Sequence, residues 1–276
     1  MLRSMKDLEH YTIGATDGSI GHVKDFLFDD HAWVVRYFVV ETGHWLSSRK
    51  VLISPIAVHE ADWADKTLPV SITKEQVKNS PDIDTDKPVS RQYESEYLGY
   101  YGYPYYWGGE GLWGGGMYPY AMFPGYAGTG SGHGSLREVD RAYAKAQRQR
   151  HKNDDPNLRS CKEVEGYRIH TLEGEIGHVS GFLVDDKTWA LRYLIVDTSN
   201  WWAGHKVLIA PEWIDDVSWP DHAVSIDLSR QAIQDAPAYN SSAQLNRRME
   251  QKLYEHYERT GYWSEDKTSA PATADV

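Results

Sequence analysis

His22 and His178 each follow a glycine in the tetrapeptide Ile-Gly-His-Val. Imidazole is a common metal ligand, yet a metal centre needs three or four convergent donors, and no H-x-H, H-x-x-E-H or H-E-x-x-H spacing occurs. Both histidines are read as strand residues facing solvent or bonding a nearby aspartate. The pairs Asp29-Asp30 and Asp185-Asp186 raise acid–base chemistry or calcium ligation. Adjacent strand residues point to opposite faces, and the alternating D-x-D-x-D-G ligand loop is absent, so these read as turn residues that bond nearby backbone. Gly18-Ser19-Ile20-Gly21 and Gly174-Glu175-Ile176-Gly177 are too short for a phosphate or dinucleotide loop. Cys161 is the only cysteine, which excludes an internal disulfide and clusters needing several thiolates. No catalytic, cofactor-binding or metal-binding residue emerges, no cofactor is implied, and an enzyme is not expected.

Arg36 and Arg192 are more informative. Each lies among apolar neighbours in a strand that otherwise reads as buried on both faces, where a guanidinium must be paired or reach an edge. One reading is a salt bridge to a turn aspartate. The other is docking, supported by Trp33, Tyr37 and Trp45 and their counterparts Trp189, Tyr193 and Trp201, because Trp, Tyr and Arg are enriched at interface hot spots. These eight residues form the candidate interface, whose first use would be packing between two halves of the chain.

Those halves are visible as a repeat. Residues 18–55 and 174–211 align at a shift of 156 without a gap, with twenty of 38 positions identical. The same shift pairs Trp63 with Trp219, Pro81 with Pro237, Arg91 with Arg247, Glu94 with Glu250, Tyr101 with Tyr257 and Tyr106-Trp107 with Tyr262-Trp263. Each copy reads as short strands rich in β-branched and aromatic residues: Ile20–Phe28, Trp33–Thr42, Lys50–Pro55 with the proline at its end, and Leu68–Ile72. Thr73 and Gln76 have capping-box spacing for a short helix. Leu245, Met249, Leu253 and Tyr257 recur every four residues, so the segments ending in Tyr-Trp are expected to be helical, the first weakened by Gly99, Gly102 and Pro104. The expected fold is mainly β, with two small antiparallel barrels in tandem, each with short helices. The expected organisation is 5–107 as first repeat with its aromatic tail, 108–157 as a flexible Gly/Tyr/Pro-rich linker with a basic helix, 158–263 as second repeat, and 264–276 as a disordered tail.

The hydrophobic and charged fractions, 41% and 25%, are those of a globular chain. Apolar runs fall far short of the roughly 20 residues that span a bilayer, and the amino terminus lacks a secretory pattern, so a cytoplasmic location is expected. A net charge of −11 argues against general DNA binding, since phosphate neutralisation needs a basic surface. The single basic stretch spans 137–152.

The pattern G-x-I-G-x-V-x-x-F-L-x-D-D, followed by W-x-x-R-Y and K-V-L-I-x-P, resembles the PRC-barrel domain, shared by the reaction-centre H subunit's cytoplasmic part and a ribosome-maturation factor. The closest resemblance is to tandem two-barrel bacterial proteins, with Pro88–Glu94 and Tyr106-Trp107 supplying their tail segment. The resemblance implies a non-catalytic adaptor that docks on other proteins, with photosynthetic or electron-transport membranes as a possible setting reached only through a partner. Its alternative is a ribosome-maturation or RNA-associated factor. The protein partner is unknown; packing of one barrel on the other, or a homodimer, is expected because a duplicated unit can reproduce a twofold pair within one chain.

Overall fold

The computed structural model describes residues 1–59, 61, 63–81, 89–107, 109, 111–122, 158–198, 205–241 and 245–267. The elements run β1 (Leu2–Ser4), α1 (Met5–Leu8), β2 (Thr12–Ala15), β3 (Gly18–Asp29), β4 (Val34–Thr42), β5 (Lys50–Ile53), β6 (Thr67–Pro69), α2 (Lys74–Lys78) and α3 (Arg91–Tyr101). They continue β7 (Leu158–Ser160), α4 (Cys161–Val164), β8 (Arg168–Thr171), β9 (Gly174–Asp185), β10 (Leu191–Asp197), β11 (Lys206–Ile209), β12 (Ile214–Ser218), β13 (Ala223–Ile226), α5 (Arg230–Gln234) and α6 (Arg247–His256). The architecture is mainly β, with two sheets and short helices. Two compact units divide the chain: a larger one of residues 3–165 with 181–192, and a smaller one of 1–2, 166–180 and 193–276.

In the larger unit the strand order is β5-β4-β3-β2-β6, with β7 added to β3. The antiparallel β3–β4 pair is its spine, running from Gly21 opposite Thr42 to Asp29 opposite Val34. Its apolar residues, among them Val23, Phe26, Phe28, Val35, Phe38 and Val40, are buried. Burying such side chains contributes roughly 1.5–3 kcal/mol each. The Thr73 hydroxyl accepts from the Gln76 amide N–H and the Gln76 side chain accepts from the Thr73 amide, completing the expected capping box of α2. The Ser90 hydroxyl caps α3 through the Tyr93 amide, and Gly102, at φ +71°, closes it in the left-handed conformation that costs glycine least.

In the smaller unit the order is β11-β10-β9-β8-β13-β12. Trp213 packs against Tyr254 and Tyr257 of the α6 region, with ring centroids 5.1 and 4.9 Å apart. That contact anchors the helix to the sheet.

Three expectations are corrected. The sheets are not closed into barrels, and pairing is not wholly antiparallel: β2 pairs in parallel with β6, and β8 with β13. The physical reason lies after β5, where Pro55 at the start of a 3-10 turn leads the chain off the ladder. The chain then meets β6 through the isolated Val58–Val70 bridge. Trp33 and Trp189 also lie outside the strands. Each occupies the turn after β3 or β9 with positive φ, +52° and +59°.

The second glycine of each Gly-x-Ile-Gly is demanded by close approach. A Cβ at Gly21 would fall inside the carbonyl oxygen of Glu41, and one at Gly177 inside that of Asp197. Gly99 on α3 faces open space. Gly21→Ala and Gly177→Ala are therefore expected to destabilise by about 2–3 kcal/mol through forced backbone shifts, whereas Gly99→Ala stabilises by about 0.5–1 kcal/mol. Urea unfolding of the three variants checks the contrast.

Candidate functional site

Strand β4 carries Arg36 in the middle of an apolar run, and the guanidinium is 2% exposed. It is compensated where it lies. Arg36 Nη2 sits 3.2 Å from the Asp29 carboxylate, Nη1 donates to the Leu112 carbonyl at 2.6 Å, and the plane lies over Tyr106 at 3.9 Å and Trp113 at 4.8 Å. The second Asp29 oxygen accepts from the His31 and Ala32 amides, so one carboxylate both shapes the β3–β4 turn and neutralises the arginine. In the second copy, Asp185 accepts from the Lys187 and Thr188 amides at 2.9 Å. Burial opposes the Asp185 charge, but those two hydrogen bonds, with the Arg192 charge nearby, hold its carboxyl below the ordinary range.

Behind Arg36, α3 presents Glu94, 2% exposed. Its Oε1 accepts from the hydroxyls of Tyr37 and Tyr106, and its Oε2 takes Arg91 Nη1 at 3.0 Å. The repeat builds this motif again: Glu250 Oε1 accepts from Tyr193 and Tyr262 at 2.9 Å each, and Arg247 lies 3.1 Å from Oε2. Each arginine also stacks over a tryptophan, Arg91 on Trp107 and Arg247 on Trp263, both at 4.4 Å. Burial raises Glu94 to about 7, against the lowering effects of Arg91 and the Tyr106 hydrogen bond. Burial also pushes the Tyr37 and Tyr106 hydroxyls well above the phenol range, which keeps them donors.

Chemically, this is a closed arrangement. Both Glu94 oxygens are occupied by protein donors, so the group orients α3 and its Tyr-Trp tail and presents no open position to a substrate. Among the described residues no three His, Cys, Asp or Glu side chains converge as metal ligands. Burial raises the Cys161 thiol well above its ordinary value, which disfavours the reactive thiolate.

The candidate interface residues scatter. Arg36, Tyr37, Trp189 and Tyr193 are buried, so none of them faces an external partner. Trp189 packs on Phe38 at 4.7 Å and Trp33 stacks on Phe28 at 5.2 Å, within the larger unit. Half-buried Trp45 donates its indole N–H to the Ile20 carbonyl at 2.7 Å, with Lys74 4.5 Å over its ring. Arg192 is half-buried, and Trp201 lies outside the described residues, as does the basic stretch 137–152.

The sequence reading missed Glu94, Tyr106 and Trp113 as site residues. For the first two the signal existed, since both recur at the 156-residue shift. Trp113 had none. It falls in the stretch read as a flexible connector, yet it is fully buried and donates its indole N–H to the Thr188 carbonyl at 2.8 Å. That part of the connector belongs to the folded unit because Arg36 holds the Leu112 carbonyl beside it.

A strand pair closed by an Asx-type turn, a buried strand arginine, the Gly-x-Ile-Gly crossing and a Lys-Val-Leu-Ile edge strand are now all in place, and the comparison with known families falls on them. Residues 4–77 match the family model of the PRC-barrel domain. An uncharacterised protein of Deinococcus radiodurans is 33% identical over 79 residues, covering 29% of this chain and 28% of that protein. The chain thus aligns with less than a third of that relative's length. The PRC-barrel assignment points to a domain without catalytic machinery of its own.

These buried charges give two predictions. Asp29→Ala leaves the Arg36 guanidinium buried and unpaired, a loss of about 3–5 kcal/mol, while Asp29→Ala combined with Arg36→Leu recovers much of it. A double-mutant cycle by chemical denaturation measures the coupling. The raised Glu94 pKa means that the folded protein keeps a proton the unfolded chain releases near 4.5. Stability contributed by this group therefore falls as pH rises from about 4.5 to about 7. Melting curves across that window should slope downward more steeply for the parent than for Glu94→Gln; equal slopes would count against the assignment.

Proposed function

We propose that the chain is a non-catalytic adaptor that docks on a protein partner. One observation carries this reading. The buried charged groups Asp29, Arg36, Glu94 and Glu250 are engaged by internal partners, while an aromatic and methionine surface is left outward. Met117, Tyr118 and Tyr120 are each 39% exposed, and the two tyrosine rings stack with centroids 5.3 Å apart. Rigid, amphipathic Tyr side chains are what protein interfaces select. Tyr120 lies in the 3-10 turn Pro119–Met122, with Met117 and Tyr118 just before it, and all three follow the Leu112–Trp113 anchor, so this surface is presented by a segment fixed at its base.

The second repeat is proposed to be a second PRC-type module, and the partner to be a protein in the cytoplasm or at a photosynthetic or electron-transport membrane. In support, no described helix is long and apolar enough to cross a membrane, so such a setting would be reached through the partner. The test is sedimentation of native lysate with and without ribonuclease, following parent protein and a Tyr118→Ser/Tyr120→Ser variant. Nuclease-insensitive migration in a large complex, lost in the variant, is the expected outcome. Ribonuclease-sensitive migration with ribosomal particles would replace this reading with an RNA-associated role, and migration as a free protein would overturn it.

A further inference from the structure

Inside the larger unit runs a seam whose two sides are copies of one another. Val34 forms an antiparallel bridge with Ala190, the residue 156 positions on and so its own counterpart. The flanking bonds are reciprocal: the Val35 amide donates to the Trp189 carbonyl at 2.9 Å and the Leu191 amide to the Trp33 carbonyl at 2.7 Å. Strand β7 pairs with β3 and β1 pairs with β9, and both added strands read Leu-Arg-Ser. Arg159 reaches Asp30 and Arg3 reaches Asp186, each at 2.9 Å. Lys162 meets Glu9 at 3.3 Å and Lys6 meets Glu165 at 3.5 Å. A contact in which each side repeats the other is isologous, and an isologous surface is complementary to itself.

We propose that a second copy of this chain is a partner for this seam. Two chains exchange their second-repeat halves, so that β7 of each lies on β3 of the other and Arg159 of each reaches Asp30 of the other. Every contact of the exchanged form is one the single chain already makes, so chain connection and concentration decide between them. Residues 123–157 join the described segment ending at Met122 to β7, and thirty-five residues reach about 120 Å when extended. Tethering of this kind corresponds to a local concentration on the order of mM. Closure within one chain therefore dominates at micromolar protein, and exchange grows when chains fold together at hundreds of micromolar.

The experiment co-refolds full-length Asp30→Arg and Arg159→Asp chains carrying different mass tags and counts dimers by native mass spectrometry. Either variant alone sets like charges against each other at the 30/159 contact. Mixed, the substituted position of one chain faces that of the other with opposite charge. A ratio of mixed to same-chain dimers severalfold above that of random pairing is expected. In a parallel arm, tagged and untagged parent chains refolded together should give mixed dimers whose fraction rises with refolding concentration and persists on dilution. The parent arm stands even where a variant fails to fold. Monomers at every concentration in that arm, or variant dimers at the random-pairing share, would overturn the proposal.

Discussion

Arg36 sets a requirement that much of the larger unit meets. A guanidinium inside an apolar strand cannot shed its proton and cannot reach water, so its surroundings must supply charge, acceptors and ring faces. Asp29 supplies the charge, and in doing so fixes the β3–β4 turn through two amide hydrogen bonds. The Leu112 carbonyl supplies an acceptor, which draws residues 111–116 onto the sheet and seats Trp113 beside the arginine. Trp113 in turn bonds the Thr188 carbonyl. One charged side chain thus organises a turn, a loop and a contact between distant parts of the sequence.

Glu94 and Glu250 solve a related problem from the helical side. Neither α3 nor α6 is long enough to be stable by itself in water, and each is tied to its sheet by a carboxylate that two tyrosine hydroxyls approach from different segments. The strand tyrosine and the tail tyrosine are about seventy residues apart in sequence, so the carboxylate works as a knot joining sheet, helix and tail. The Arg91 and Arg247 guanidinia sit between that knot and a tryptophan face, covering it from solvent.

How much of this the sequence discloses depends on whether local or distant chemistry decides. The repeat register, the capping box at Thr73 and the turn role of Asp29 are legible because spacing along the chain determines them. The open sheet edges are not, because closure depends on where Pro55 sends the chain after β5, a choice made by packing. The strand read from Trp33 starts one residue late for a similar reason: its β-propensity argues for strand, but the Asp29 hydrogen bonds impose a left-handed turn, and stacking on Phe28 offsets the cost. Trp113 is invisible for another reason. Glycine-rich sequence around it carries no periodicity, and its place beside Arg36 follows from the bond that Arg36 makes to the neighbouring Leu112 carbonyl, 76 residues away.

The seam also records where the two copies have parted. Asp25 accepts from the Ser160 hydroxyl at 2.5 Å, and Ser160 caps α4 through the Glu163 amide. At the equivalent place Gly181 stands in place of Asp25, and Ser4 makes no side-chain cap for α1. In a pair of identical subunits every change at such a contact is felt twice, so a mildly harmful substitution is doubled and a useful one cannot be confined to one side. With both halves on one chain the same change counts once. Each side of the contact is then able to differ by itself, and Asp25 against Gly181 is such a difference.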